Sequence, residues 1–165
     1  MSDDSEKGRS TARLDKTFGE IKGEMKRLGL DGGNARYRNP LDLLEEAYVA
    51  IRYPASAKGG ASSALLSLRS TINRSIDELV RRLPVEEKSA NRRERLLSIG
   101  RQCARRGLAP AHFYSLAADD ELVNDELSES GKASAAQADA ARRFLLGAEF
   151  LRALLASVDE AVARP

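Results

Sequence analysis

The sequence predicts an all-α bundle of five or six helices ending in a long C-terminal helix, and three observations carry that expectation. The stretch Ser62 to Leu83, SSALLSLRSTINRSIDELVRRL, places Leu65, Leu68, Ile72, Ile76, Leu79 and Leu83 three and four residues apart, the spacing of one apolar helix face. The other side of that helix carries Arg69, Arg74, Asp77, Glu78, Arg81 and Arg82, so it has one face in a core and one in water. Aromatic residues make up 5% of the chain and Trp is absent, which leaves Leu, Ile, Val and Ala to build the core and suits packed helices better than a sheet. Finally, no segment shows the two-residue alternation of a strand, and no internal repeat is present.

Taken in order, residues 1–10 are charged and small with nothing to bury, and read as a disordered N-terminal arm; residues 11–163 read as one helical domain. From Thr11 onward Leu14, Phe18, Ile21, Met25 and Leu28 step by four, three, four and three, a narrow seam of the kind coiled coils use, and Gly29 supplies the stop. So thin a seam either packs on its own domain or grips a partner helix. DGGNARYRN is then a joint rather than a phosphate-cradling loop, since the lysine and hydroxyl residue such a loop needs do not follow its glycines. Asn39 caps and Pro40 opens the second helix, with Leu41, Leu44, Tyr48 and Ile51 inward, until Tyr53-Pro54 ends it. After the central helix Pro84 breaks the chain, and a capping box of Asn91 with Glu94 starts a fourth helix with Leu96, Ile99 and Cys103 as its buried stripe. Between Pro110 and Ser130 short helical pieces are anchored by Phe113, Leu116, Leu122, Val123 and Leu127. Beyond Gly131 a run interrupted only by Gly147 sets Ala141, Phe144, Ala148, Leu151, Leu155, Val158 and Val162 on one face, and Leu145, Leu146 and Leu154 widen it, so this last helix is covered on two sides or forms a dimer face.

Lys and Arg number 27 against 25 Asp and Glu, too even a balance to announce nucleic acid. The distribution is less even. Basic residues dominate from Arg69 to Arg106, while Asp119, Asp120, Glu121, Asp125, Glu126 and Glu129 form an acidic run. These read first as solvated faces of opposite sign. A second reading has Arg74, Arg81, Arg92, Arg93, Arg95, Arg101 and Arg105 lining a helical surface that tracks phosphates, reading backbone rather than sequence because no aromatics interleave them. The single cysteine excludes an internal disulfide, and the polar start MSDDSEKGRS resembles neither a signal peptide nor a membrane span, so the expectation is a soluble cytoplasmic protein.

Catalytic signals are thin. His112 is the single histidine, nine positions from Cys103, which supports neither a metal site nor a serine triad, and no cofactor is expected. Arg106 and His112 stand six positions apart, the arginine-histidine interval of the HEPN family of helical ribonucleases. There the histidine would serve as general acid or base and the arginine would stabilise the phosphorane charge. Here Gly107 and Pro110 fall between the two, where the family pattern usually keeps them on one helix.

Two further stretches, SLRSTINRSIDELVRRLPVEE and ELSESGKASAAQADAARRFLLGAEFLRALLASV, resemble the helical HEPN-like domain of the predicted pPIWI-associating nucleases of bacterial defence loci, over about Leu41 to Val158. Leu127 and Ser128 match that family's Leu-Ser before its last helix, whereas Gly131, Lys132 and Ala133 stand where a histidine is often found. The resemblance therefore implies a non-catalytic domain kept for assembly, with defence as its setting. The sequence reading is a helical accessory protein that binds a protein partner or itself, with Leu14, Phe18, Ile21, Met25, Leu151 and Leu155 as its interaction residues. Phosphate-backbone binding and ribonuclease activity are the alternatives.

Overall fold

The computed structural model describes residues 2–32, 38–53, 60–82, 92–104, 118–120, 122–127 and 137–158. The fold is all-α. Helix α1 spans Ser2–Arg27, α2 Pro40–Arg52, α3 Gly60–Arg81 and α4 Arg92–Ala104; α5 is helical at residues 118–120 and 122–127, and α6 spans Gln137–Ser157. No strand occurs among the described residues.

α1 begins at Ser2, well before Thr11, so residues 2–10 are helical rather than an arm without structure. Residues 4–10 are all exposed, and burial starts with Leu14. Apolar spacing marks only the part of a helix that packs. Once a helix is nucleated each further residue adds a hydrogen bond, and Asp4 complements the positive pole of its first turn. The other end is a Schellman closure. Gly29 takes φ 66°, its N–H donates to the Lys26 carbonyl at 3.1 Å, and the Leu30 N–H donates to Met25 at 2.8 Å. Leu30 is buried beside that turn, as Met25 is, so the closure also contributes apolar contact to the core.

α2 starts as its sequence dictates. The Asn39 side-chain oxygen accepts from the Asp42 N–H at 2.8 Å, and Pro40 follows at a position where a missing N–H costs nothing. Its buried residues are Pro40, Leu41, Leu44, Ala47, Ala50 and Ile51, facing α3. On α3, Leu65, Leu68, Ile72, Ile76 and Leu79 are all buried; Leu83 lies outside the described residues. Two polar residues share that buried side without penalty, because Thr71 Oγ1 donates to the Ser67 carbonyl at 2.9 Å and Ser75 Oγ to that of Thr71 at 2.8 Å.

Ion pairs report the directions of the helices. Arg13 meets Glu149, Glu20 meets Arg152, and Arg27 reaches the carbonyls of Leu155 and Val158, so α1 and α6 run parallel. Asp15 meets Arg52 and Lys22 meets Glu45, so α2 runs antiparallel to α1. These surface pairs contribute little stability, about 0–1 kcal/mol each. The core carries the fold: each fully buried Leu or Ile contributes roughly 1.5–3 kcal/mol.

α4 buries Leu96 and Ile99 and packs on α3, while Asn91 and the Cys103 side chain lie outside the described residues. α5 anchors through Val123 and Leu127, four positions apart and therefore on one face. Leu122 is not an anchor as expected: it sits about 100° round the helix from Val123 and is 67% exposed. α6 buries Ala140, Phe144, Ala148, Phe150, Leu151, Leu154, Leu155 and Val158, a surface wide enough to touch both α1 and α3, whereas Leu146 faces outward. Val162 lies outside the described residues.

Candidate interaction surfaces

The six residues expected to meet a partner are committed to the chain's own packing. Leu14, Ile21, Met25, Leu151 and Leu155 are buried in the core, and Phe18 packs against its edge with its ring stacked on Tyr48, centroids 4.0 Å apart and planes 9° apart. Of the two uses open to the α1 seam, the chain takes own-domain packing, because α2 and α6 lie along it. These positions are therefore corrected from interface to core.

The arginines are likewise engaged within the chain. Arg81 pairs with Glu78 at 2.6 Å, Arg92 with Asp120 at 2.5 Å and Arg95 with Asp77, while Arg101 donates to Ser98 Oγ at 3.0 Å. Arg74 and Arg93 also have partners in the chain. The hydrogen bond from Arg81 holds the Glu78 carboxyl below the usual carboxylate range, and Glu78 in turn raises Arg81. Arg105, Arg106 and His112 lie outside the described residues.

Basic and acidic runs that read as separate faces meet each other. α5 is the acidic element, and arginines from three helices converge on it. From α3, Arg69 Nε donates to Asn124 Oδ1 at 3.0 Å. From α4, Arg92 reaches the buried Asp120 and also Asn73 on α3. From α6, Arg143 donates to the Glu126 carbonyl at 3.2 Å and lies 3.5 Å from its carboxylate. Arg143 Nε is also 2.8 Å from Asp139 Oδ2 without pointing its hydrogen there, so that contact is a charge pair rather than a hydrogen bond. Between the charges the seat is apolar. A Cβ added at Gly147 would lie 2.8 Å from Leu68 Cδ2 and 3.3 Å from Leu127 Cδ1, so the glycine is what lets α3 and α5 approach α6 this closely.

The outer face of α2 carries an apolar patch. Val49 and Tyr53 stand one turn apart there, 43% and 52% exposed, and the Arg52 guanidinium lies over the Tyr53 ring at 4.9 Å from its centroid. The signal was present in the sequence as the four-three-four step Asp42, Glu46, Val49, Tyr53, opposite the inward stripe. Beside this patch a firmer site holds the helix pair together. The Tyr48 hydroxyl donates to Asp15 Oδ1, and Arg52 Nε donates to the same oxygen at 3.2 Å. Burial, and then the bond to Asp15, pushes the Tyr48 pKa up to about 12.

Among the described residues no group of three or more His, Cys, Asp or Glu could hold a metal ion, and no helix is long and apolar enough to cross a membrane. Compared with protein-family models, with curated proteins and with solved structures, the chain matches none. The resemblance to the HEPN-like domain thus rests on the residues that carry it.

Proposed function

We propose that the chain is a helical accessory protein that works by binding another protein. The observation that carries this reading is the pair Val49 and Tyr53, two large exposed side chains, one on the outer face of α2 and one at its C-cap, with an arginine laid over the tyrosine ring. Tyrosine and arginine dominate the energetics of protein interfaces because each combines a large apolar body with a polar tip. Four charged residues of α1 and α2, Asp15, Arg52, Lys22 and Glu45, are already paired beside them, so a partner would meet the apolar patch without stripping lone charges of water. The phosphate-backbone reading is the weaker one, since Arg81, Arg92 and Arg95 would each have to leave a carboxylate to reach a phosphate. A bacterial defence assembly is the setting that the sequence resemblance suggests.

The test is purification of the tagged chain from a bacterial host, followed by light scattering with absorbance at two wavelengths. A mass above that of the chain with no nucleic acid supports the reading, provided that V49S/Y53S returns it to the chain mass. A nucleic-acid component that dissociates in high salt would replace it with the phosphate-backbone reading.

A further inference from the structure

The outward side of α1 carries charges that the fold does not use. Opposite the buried seam, Arg9, Ala12, Lys16, Gly19, Gly23 and Lys26 recur at steps of three and four and are all exposed, so they form one face of the helix. Among the described residues, Arg9, Lys16 and Lys26 are the basic side chains without a hydrogen bond, ion pair or ring contact, and every other lysine and arginine has a partner within the chain. The carboxylates that flank this face cannot answer them: Asp15 is taken by Arg52, Glu20 by Arg152 and Glu24 by Arg27. The shape of the face is as distinctive as its charge. A Cβ added at Gly8, Gly19 or Gly23 would meet nothing within 4 Å, whereas at Gly147 it would meet Leu68 and Leu127. The fold therefore has no packing use for these three glycines, although glycine is the poorest helix former after proline. Gly19 and Gly23 bare the helix backbone between two uncompensated lysines.

We propose that this face of α1 docks an acidic helix of another protein, with carboxylates of that helix on Lys16 and Lys26 and its backbone lying close over Gly19 and Gly23. Charge identifies the occupant, since the unpaired groups on the face are all cations. The same face of a second copy would set lysines against lysines, and like charges across an interface oppose association. A phosphate backbone would meet the ends of the basic side chains and gain nothing from bare backbone between them. A helix does gain from it, because the side chains at a crossing set how near two helix axes come. Lys16 and Lys26 stand ten positions apart, roughly 15 Å along the axis, so carboxylates ten positions apart on the partner helix match them. The inference adds a second docking face to the protein-binding reading above and uses neither Val49 nor Tyr53.

The experiment titrates the full chain, by fluorescence anisotropy at low salt, against a labelled alanine-rich helical peptide of about 20 residues with glutamates ten positions apart. The same peptide with lysines in their place is the control. The natural chain binds the glutamate peptide and not the lysine one. K16E/K26E weakens that binding about tenfold or more. G19L/G23L keeps every charge and places two leucines where the peptide has to lie, so it also weakens binding about tenfold. Attraction by charge alone would leave this second variant unchanged. Both of its side chains enter open space and leucine is the better helix former, so circular dichroism shows it folded, with a melting temperature at or above that of the natural chain. Should it fail to fold, G19Q/G23Q makes the same test with polar side chains. No binding of the glutamate peptide, or equal binding by the natural chain and either folded variant, overturns the proposal. So does a DNA duplex that is retained in place of the peptide and lost in K16E/K26E alone, which would assign the face to phosphates. V49S/Y53S binds the peptide as the natural chain does; a loss there would move the effect to α2 and also overturn the proposal, while the α2 reading stood.

Discussion

Arg82 closes the C-terminus of α1: its Nη1 donates to the Leu28 carbonyl at 2.5 Å and its Nη2 to the Gly29 carbonyl at 2.8 Å. Arg27 does the same for α6, donating to the carbonyls of Leu155 at 2.9 Å and Val158 at 3.1 Å. Each arginine comes from the end of another helix, so the ends of α1, α3 and α6 gather at one pole of the bundle. Helix C-termini leave carbonyls without partners and a partial negative charge, and a guanidinium answers both at once. Glu78, on the preceding turn, holds Arg82 in place at 3.1 Å.

Replacing Arg82 should accordingly cost more than an ordinary surface change. R82A is expected to destabilise the fold by about 1.5–3 kcal/mol, the range for hydrogen bonds to a charged group. R82K should recover only part of this, since an ammonium cannot present the same fork to two carbonyls. Urea denaturation of the three proteins reads the difference as a shift in midpoint at constant slope. Equal midpoints for R82A and the natural chain would mean that water caps α1 as well as the arginine does.

Gly147 sets two effects against each other. Alanine in place of a helix-interior glycine gains about 1 kcal/mol from backbone entropy. Against that, the new Cβ would lie 2.8 Å from Leu68 Cδ2, too close to stand without movement, and overpacking of a core costs typically 1–3 kcal/mol. The contacted atoms end flexible side chains, which keeps the cost toward the lower part of that range. The expected sum for G147A is a loss of between zero and about 1 kcal/mol, and G147V, with two further methyl groups and a less favourable helix preference, loses more. Thermal melts followed by circular dichroism rank the three. A G147A variant more stable than the natural chain would show that Leu68 and Leu127 make room freely.

Much of this architecture was legible because it is local or periodic. Asn39-Pro40 and Gly29 mark helix ends by backbone chemistry alone, and both act as their residue types require. The stripe from Leu65 to Leu79 needs only helix geometry to be read as core. What could not be read is which distant residues meet. Nothing in the spacing of Arg82 says that it will reach Leu28, 54 positions earlier in the chain, and nothing in Arg92 names Asp120. The charged runs looked like separate solvated faces for the same reason, since tertiary pairing leaves no periodic trace. Leu122 and Val123, adjacent in sequence, also show the limit of counting apolar residues in a short segment: without a second turn to fix the phase, the inward one cannot be told from the outward one. For the candidate surface, the sequence marks Leu41, Leu44 and Ile51 as the inward stripe of α2, but it does not show that Val49 and Tyr53 on the other side stand exposed together.

The contrast between α1 and α2 yields a paired prediction. I21A removes a fully buried side chain from between helices and should destabilise by about 2–5 kcal/mol, as large-to-small core changes do. V49S, on the outer face of α2, should leave folding stability within about 0.5 kcal/mol while weakening association. Denaturation midpoints and light-scattering masses measured on both variants separate the two roles. If V49S destabilised as strongly as I21A, the α2 patch would belong to the fold and the proposed partner surface would be lost.

Two groups give the stability a predictable pH dependence, one at each extreme. Tyr48 holds its proton more tightly in the folded chain, with its pKa raised from 10.0 to about 12 by burial and by donation to Asp15. Between those values the unfolded chain loses the proton while the folded chain keeps it. The native state then binds more protons, and stability falls as pH rises from about 10 through 12. Glu78 acts in the opposite sense. Its pKa is lowered from 4.5 chiefly by the hydrogen bond from Arg81, so it contributes above the ordinary carboxylate value, and that contribution is lost as pH falls below 4.5. Y48F should therefore flatten the alkaline limb and leave the acid limb unchanged, while E78Q should do the reverse. Denaturant midpoints taken from pH 3 to pH 11.5 would test both, and an alkaline limb equally steep in Y48F would show that the Tyr48–Asp15 bond does not persist in solution.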